Sequence, residues 1–185
     1  WGGEVAWSPD GTRMAFTTMR PLVSSDTDAN KDVYLVSAAG TGPQRVSQTQ
    51  AGAGMQGDPA AAHDPQWSPD SARIMFASSA SNLGAGSGDL FIKNLTSGVV
   101  TRTGAGELSE GARWASDGRI AFTAGSYVWD PDWAGWWPNL DVYTADTSGT
   151  SVTAATSDHG VLGPPSWAPS GSAIAFSTSM ALVAS

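Results

Sequence analysis

One pattern occurs four times in this chain: a tryptophan, a short polar corner and an apolar run ending in phenylalanine. The copies are Trp7-Ser-Pro-Asp-Gly-Thr-Arg-Met-Ala-Phe16, Trp67-Ser-Pro-Asp-Ser-Ala-Arg-Ile-Met-Phe76, Trp114-Ala-Ser-Asp-Gly-Arg-Ile-Ala-Phe122 and Trp167-Ala-Pro-Ser-Gly-Ser-Ala-Ile-Ala-Phe176. Their tryptophans stand 60, 47 and 53 residues apart. A repeat of that length made of short strands and turns predicts the blades of an all-β propeller rather than a helical solenoid. Function must then be sought where the copies differ.

Each unit parses as four antiparallel strands. The first carries the tryptophan, as in Glu4-Val5-Ala6-Trp7. The corner reverses the chain: proline pre-sets φ, aspartate bonds back to the backbone and glycine tolerates positive φ. Asp10, Asp70 and Asp117 are therefore turn makers, with Ser170 in the fourth copy. The second strand follows, and the third opens with aspartate and alternates aromatic with aliphatic residues: Asp32-Val-Tyr-Leu-Val36, Asp89-Leu-Phe-Ile-Lys93 and Asp141-Val-Tyr-Thr-Ala145. A polar fourth strand suits the wet outer edge. The corner tryptophans, set in apolar strands, are expected to wedge between neighbouring sheets.

In an up-and-down sheet the turns between strands one and two and between three and four share one end. Those are short here, whereas the connections at the other end are long: Thr18 to Lys31, Ser78 to Gly88, Ala124 to Leu140, and Thr49 to Ala62. Long irregular loops on a rigid scaffold concentrate function, so one face is the expected working surface. Three units are full, at about 3–49, 64–103 and 112–156, and a fourth at 163–185 is incomplete. An open stack would expose apolar blade faces, so either the chain is part of a larger propeller or copies complete one another's ring.

A length of 185 residues with 41% hydrophobic content suits a single domain. With 9 Lys+Arg against 17 Asp+Glu, the net charge of −8 makes the phosphate term of nucleic-acid binding repulsive, which favours neutral or cationic ligands. Cysteine is absent, excluding disulfides, thiolate metal sites and a cysteine nucleophile. No run of 18 apolar residues and no signal-peptide pattern is present, and a chain beginning Trp1-Gly-Gly is expected to be processed or excised.

The Trp-Ser-Pro-Asp-Gly corner, the Ile-Ala-Phe-like strand and the Asp-Val-Tyr-Leu strand together resemble the repeats of TolB-like β-propellers, the Pro-Asp variety of WD-like repeats. The resemblance covers nearly the whole chain. It implies the fold and leaves function open, since such repeats serve periplasmic scaffolds, propeller domains of prolyl-oligopeptidase-type peptidases and polysaccharide-degrading enzymes. It also implies an extracellular or periplasmic location. The middle unit is similar to a subgroup of secreted bacterial proteins whose second loop carries Asp-Thr-Asn-Gly; here that loop reads Gly84-Ala-Gly-Ser-Gly88, so only the first loop keeps an acidic cluster.

That cluster, Asp26-Thr-Asp28-Ala-Asn30-Lys-Asp32, sets oxygen ligands at every second position. Calcium takes six to eight hard oxygens, and Asp-x-Asp-x-Asn opens an EF-hand loop. Lys31 in place of the required glycine and Ser37 at the twelfth position exclude an EF-hand. A looser calcium loop built on Asp26, Asp28, Asn30 and Asp32, or a solvated acidic loop, is expected.

A second candidate is Tyr127-Val-Trp129-Asp-Pro-Asp-Trp133-Ala-Gly-Trp136-Trp137-Pro-Asn139, which holds four of the nine tryptophans. Indoles stack on sugar faces and anchor protein interfaces, with Asp130, Asp132 and Asn139 as hydrogen-bonding neighbours. The alternative is a plug folded back over the disc. His63 and His159 precede their tryptophan strands in matching places and offer an acid, base or ligand, or a structural bond to a neighbouring loop. No Gly-x-Ser-x-Gly elbow, His-Glu-x-x-His helix or phosphate loop occurs. The expected role is a non-enzymatic binding module that presents the Trp129 to Trp137 segment to a protein or glycan. The alternative is the propeller part of a hydrolase or polysaccharide lyase.

Overall fold

A computed structural model describes residues 4–27, 30–47, 62–79, 89–104, 108–131, 134–157 and 159–179. Its described residues form strands and no helix, in the blade pattern of a partial β-propeller. The chain divides into two compact units, residues 1–102 and 103–185.

The first unit contains two sheets. One is ordered β1 (Val5–Trp7), β2 (Arg13–Thr18), β3 (Asp32–Ser37) and β4 (Gln44–Arg45). The other is ordered β5 (Ala62–Trp67), β6 (Arg73–Ser78), β7 (Asp89–Asn94) and β8 (Val100–Thr103). Both are meanders, with each strand lying beside the next one in the chain. The short turns share one end: the Ala38 N–H donates to the Thr12 carbonyl, and the Leu95 N–H to that of Ala72. Side chains alternate across the strands, and one face of each sheet joins a common core of Ala15, Val33, Leu35, Trp67, Ile74, Phe76 and Phe91.

The second unit holds β9 (Leu108–Trp114), β10 (Ile120–Asp130), β11 (Gly135–Ala145) and β12 (Val152–Ala154) in one sheet, and β13 (Ser166–Trp167) with β14 (Ile174–Ala175) in another. A second-strand phenylalanine stacks on a third-strand ring in all three full sheets: Phe16 on Tyr34, Phe76 on Phe91, and Phe122 on Tyr143, at 6.3, 5.7 and 5.9 Å between centroids. Such offset pairs add to the burial of the rings themselves.

The corners share one geometry. Gly11, Ser71, Gly118 and Gly171 all have positive φ. Ser71 tolerates φ 57° there, and its hydroxyl accepts from the Asp10 N–H. The wedging role expected of the four tryptophans is seen for one in each unit, Trp67 and Trp167, whereas Trp7 is 55% exposed. The Trp67 indole N–H donates to the Ala6 carbonyl at 3.0 Å, and that of Trp167 to the Arg113 carbonyl at 3.1 Å. Arg13 and Arg119 cover these rings and bond onward to the carbonyls of Ser71 and Gly171.

The expected loop from Ala124 to Leu140 is instead strand as far as Asp130 and again from Gly135. β10 and β11 run 11 residues each, against 6 in β2, β3, β6 and β7. The expected loops at 49–61 and 80–88 and the last residues, 180–185, lie outside the described residues.

Candidate functional site

Among the described residues, strand β10 pairs with β9 as far as Gly125, opposite Leu108. Beyond it β10 and β11 continue, within the described residues, as a two-stranded arm with Ser126 opposite Asn139, Tyr127 opposite Pro138, Val128 opposite Trp137, Trp129 opposite Trp136 and Asp130 opposite Gly135. At about 3.3 Å per residue, five paired positions carry the tip roughly 16 Å past the sheet. Positions 127, 129, 136 and 138 share one face of this ribbon, because residues directly opposite and two apart point the same way. Trp129 is 49% exposed and Val128 50% exposed. Asp130 closes β10, and Trp136 and Trp137 lie in β11; their side chains, with those of Tyr127 and Pro138, lie outside the description, as do Asp132 and Trp133 entirely. Asn139 is half-buried near the root.

The root is tightly built. A Cβ on Gly125 would fall 2.0 Å from the Asn139 carbonyl oxygen, so only glycine lets the strands cross there. Leu140, Val142 and Val161 form a small core beside it, with Ile174 packed against them. His159 comes to this root: its Nδ1 lies 2.5 Å from the Asp141 carboxylate and its backbone N–H donates to the same group at 3.1 Å. Thr156 also donates to Asp141. Burial alone would raise the Asp141 pKa, but the Thr156 hydroxyl and the two His159 contacts outweigh it and hold the carboxyl below the usual aspartate value.

Asp141 has the same task as the aspartates opening the other third strands. Arg45 pairs with Asp32 and Arg102 with Asp89, each from the fourth strand of its own sheet. Ser47 and Thr156 stand at matching places and bond Asp32 and Asp141. These aspartates thus clamp the outer strand or the segment after it, and His159 replaces the missing arginine in the third sheet. The sequence carried this signal as arginines 13 residues after Asp32 and Asp89.

No family model matches the sequence, and no curated protein matches it. Solved structures do match. TolB from Acinetobacter baumannii aligns over 94% of this chain and 36% of its own, at 21% identity and a TM-score of 0.59. A putative TolB from Agrobacterium tumefaciens aligns over 94% of this chain and 52% of its own, at 20% identity and 0.62. The fold is that of TolB-like propellers. An oligogalacturonate lyase solved with manganese also aligns, over 96% of this chain and 45% of its own, at 15% identity and 0.59. The chain spans about a third to a half of these proteins.

Within this TolB-like frame the remaining sequence candidates separate. Asp26, Asn30 and Asp32 are all buried, and Asp28 lies outside the described residues. Arg45 reaches both carboxylates, 2.5 Å from Asp32 and 3.5 Å from Asp26, while the Tyr34 hydroxyl donates to Asp26. Burial and the Asp26 bond push Tyr34 up to about 12. A guanidinium thus supplies positive charge beside these oxygens, and the described donors are buried rather than set in a solvated loop. Among the described residues no group of three or more His, Asp or Glu is arranged to hold a metal ion. His63 sits in strand β5, opposite Ala77, with its side chain exposed.

Proposed function

We propose that the chain is a non-enzymatic binding module of the extracellular or periplasmic space, in which a TolB-like scaffold presents the 126–139 arm to a protein or a neutral glycan. The observation that supports this reading most is the register of the arm, which gathers the positions of Tyr127, Trp129 and Trp136 on one face of a ribbon standing clear of its sheet. An isolated two-stranded hairpin is marginal in water, so an aromatic arm rooted by Gly125, Asp141 and His159 is built to be held out and covered by something else. Aromatic residues at such positions are of the kind that meets a sugar face or a partner's apolar ridge. The net charge of −8 disfavours polyanions.

The test is a panel of neutral glycans and candidate secreted proteins, probed with the native chain and single variants. Trp129→Ala and Trp136→Ala are expected to abolish the strongest interaction, while Trp137→Ala, on the opposite face, keeps most of it. Binding that survives both same-face changes overturns the reading. Turnover of polyuronate or peptide substrates by the chain favours an enzyme's propeller instead.

A further inference from the structure

The two junctions inside the units follow one rule. The tryptophan opening a sheet donates its indole N–H to the carbonyl just before the preceding corner tryptophan, Ala6 for Trp67 and Arg113 for Trp167. An arginine at the start of the preceding second strand lies over that indole, 4.8 Å for Arg13 and 4.9 Å for Arg119, and bonds the carbonyl of the fourth residue after the tryptophan. The first junction also buries an apolar core that includes Ala15, Val33, Leu35, Ile74 and Phe76.

Trp7 stands at the same place in the first sheet, and among the described residues no arginine lies over its ring. In the second sheet, Trp67, Ile74 and Phe76 are 7%, 0% and 0% exposed. Their counterparts in the first sheet are Trp7, 55% exposed, and Met14 and Phe16, both half-buried. Val5 beside them is 62% exposed, and a cleft of about 400 Å³ is lined by Val5, Met14, Phe16, Leu22 and Val36. Sequence does not explain the difference, since the two sheets carry the same residue classes at these positions; the neighbour does.

We propose that this face is the seat of a further blade, supplied from outside residues 1–185, that carries an arginine at the start of its second strand. Its guanidinium spans the Trp7 ring and the Gly11 carbonyl, and its first-strand carbonyl accepts the Trp7 indole N–H. A second copy of the chain does not meet this requirement with its last unit, because Ala173 stands where Arg13, Arg73 and Arg119 stand in the others. Arg13 and Arg119 already cover Trp67 and Trp167.

The experiment joins a duplicate of residues 64–104, which contains Arg73, ahead of the intact chain through a glycine-serine linker. Both proteins are labelled with 5-fluorotryptophan, and the Trp7 fluorine signal is assigned by its loss in Trp7→Phe. In the 185-residue chain that signal is expected to broaden with a soluble paramagnetic agent. In the fusion most of this broadening is lost, and Arg73→Ala in the duplicate restores it, while the Trp67 and Trp167 signals stay unchanged throughout. Equal accessibility of Trp7 in both proteins overturns the proposal, as does a duplicate that stays unfolded beside it. Protection indifferent to Arg73 reduces the face to a general apolar patch, and protection of Trp7 in the unfused chain with a doubled mass assigns it to a second copy; both contradict the proposal.

Discussion

Arg13 places its guanidinium carbon 4.8 Å from the centre of the Trp67 ring while one of its nitrogens donates to the Ser71 carbonyl at 2.7 Å. One side chain therefore ties two sheets at a ring and at a turn. Arg13→Ala is expected to lower stability by about 1–2 kcal/mol, the sum of a partly desolvated cation–π contact and a hydrogen bond. Arg13→Lys recovers less than half, because an ammonium cannot cover the ring and reach the carbonyl together. Urea unfolding followed by far-ultraviolet dichroism measures both, and equal stability of all three proteins contradicts the assignment.

The two arginine clamps differ in exposure, and so in worth. The Arg45 side chain is 9% exposed against 50% for Arg102, although each faces a buried aspartate. Arg45→Met leaves Asp32 and Asp26 without their guanidinium in the interior and is expected to cost about 3–5 kcal/mol. Arg102→Met removes a half-exposed partner from a buried carboxylate and is expected to cost less, about 1–3 kcal/mol. Denaturant midpoints that rank the two in the reverse order refute this account.

Gly125→Ala sets a methyl group against the Asn139 carbonyl, so the arm must shift at its root. The expected loss is about 1–3 kcal/mol, the usual range for forcing atoms into a filled space. Hydrogen exchange should quicken across 126–139 before the sheet itself loosens. Unaltered exchange in the arm would show that the strands cross there with room to spare.

Acid should weaken the fold within a defined range. Asp10 is held at about 2, chiefly by the Ser8 hydroxyl, Asp70 is lowered chiefly by Ser68, and Asp117 is lowered chiefly by Arg119. Asp141 is lowered against the pull of burial. Each folded pKa lies below its unfolded value, so the unfolded chain takes up more protons as pH falls, and the stabilisation present above the unfolded value is lost below it. Melting temperature should be level from pH 7 to 5 and drop below about pH 4, near the ordinary aspartate value. Thr156→Val should shrink the drop by the share belonging to Asp141. A melt that rises between pH 5 and 3 would reverse the sign and defeat the argument.

The sheets were legible because tryptophan, Pro-Asp corner and Ile-Ala-Phe run repeat on a scale that local chemistry dictates. The arm was not. Pro131, Gly135 and Pro138 read as loop punctuation, while the pairing of Trp129 with Trp136 across the tip depends on a register that composition does not carry. The acidic segment shows its oxygens at alternate positions, but nothing in that spacing announces Arg45, 13 residues on from Asp32, which pairs with both Asp26 and Asp32. His159 offers in sequence either a reactive group or a structural bond, and its contact with Asp141 is of the second kind, at the place where the other sheets use an arginine.

At each observed junction the acceptor for the indole belongs to the peptide backbone, at Ala6 in one case and Arg113 in the other. Mutation cannot delete a peptide carbonyl, and the side chain attached to it is free to vary. A tryptophan and an arginine are thus the only side chains this polar link asks for, so the residue that bears the accepting carbonyl can change from copy to copy without breaking it.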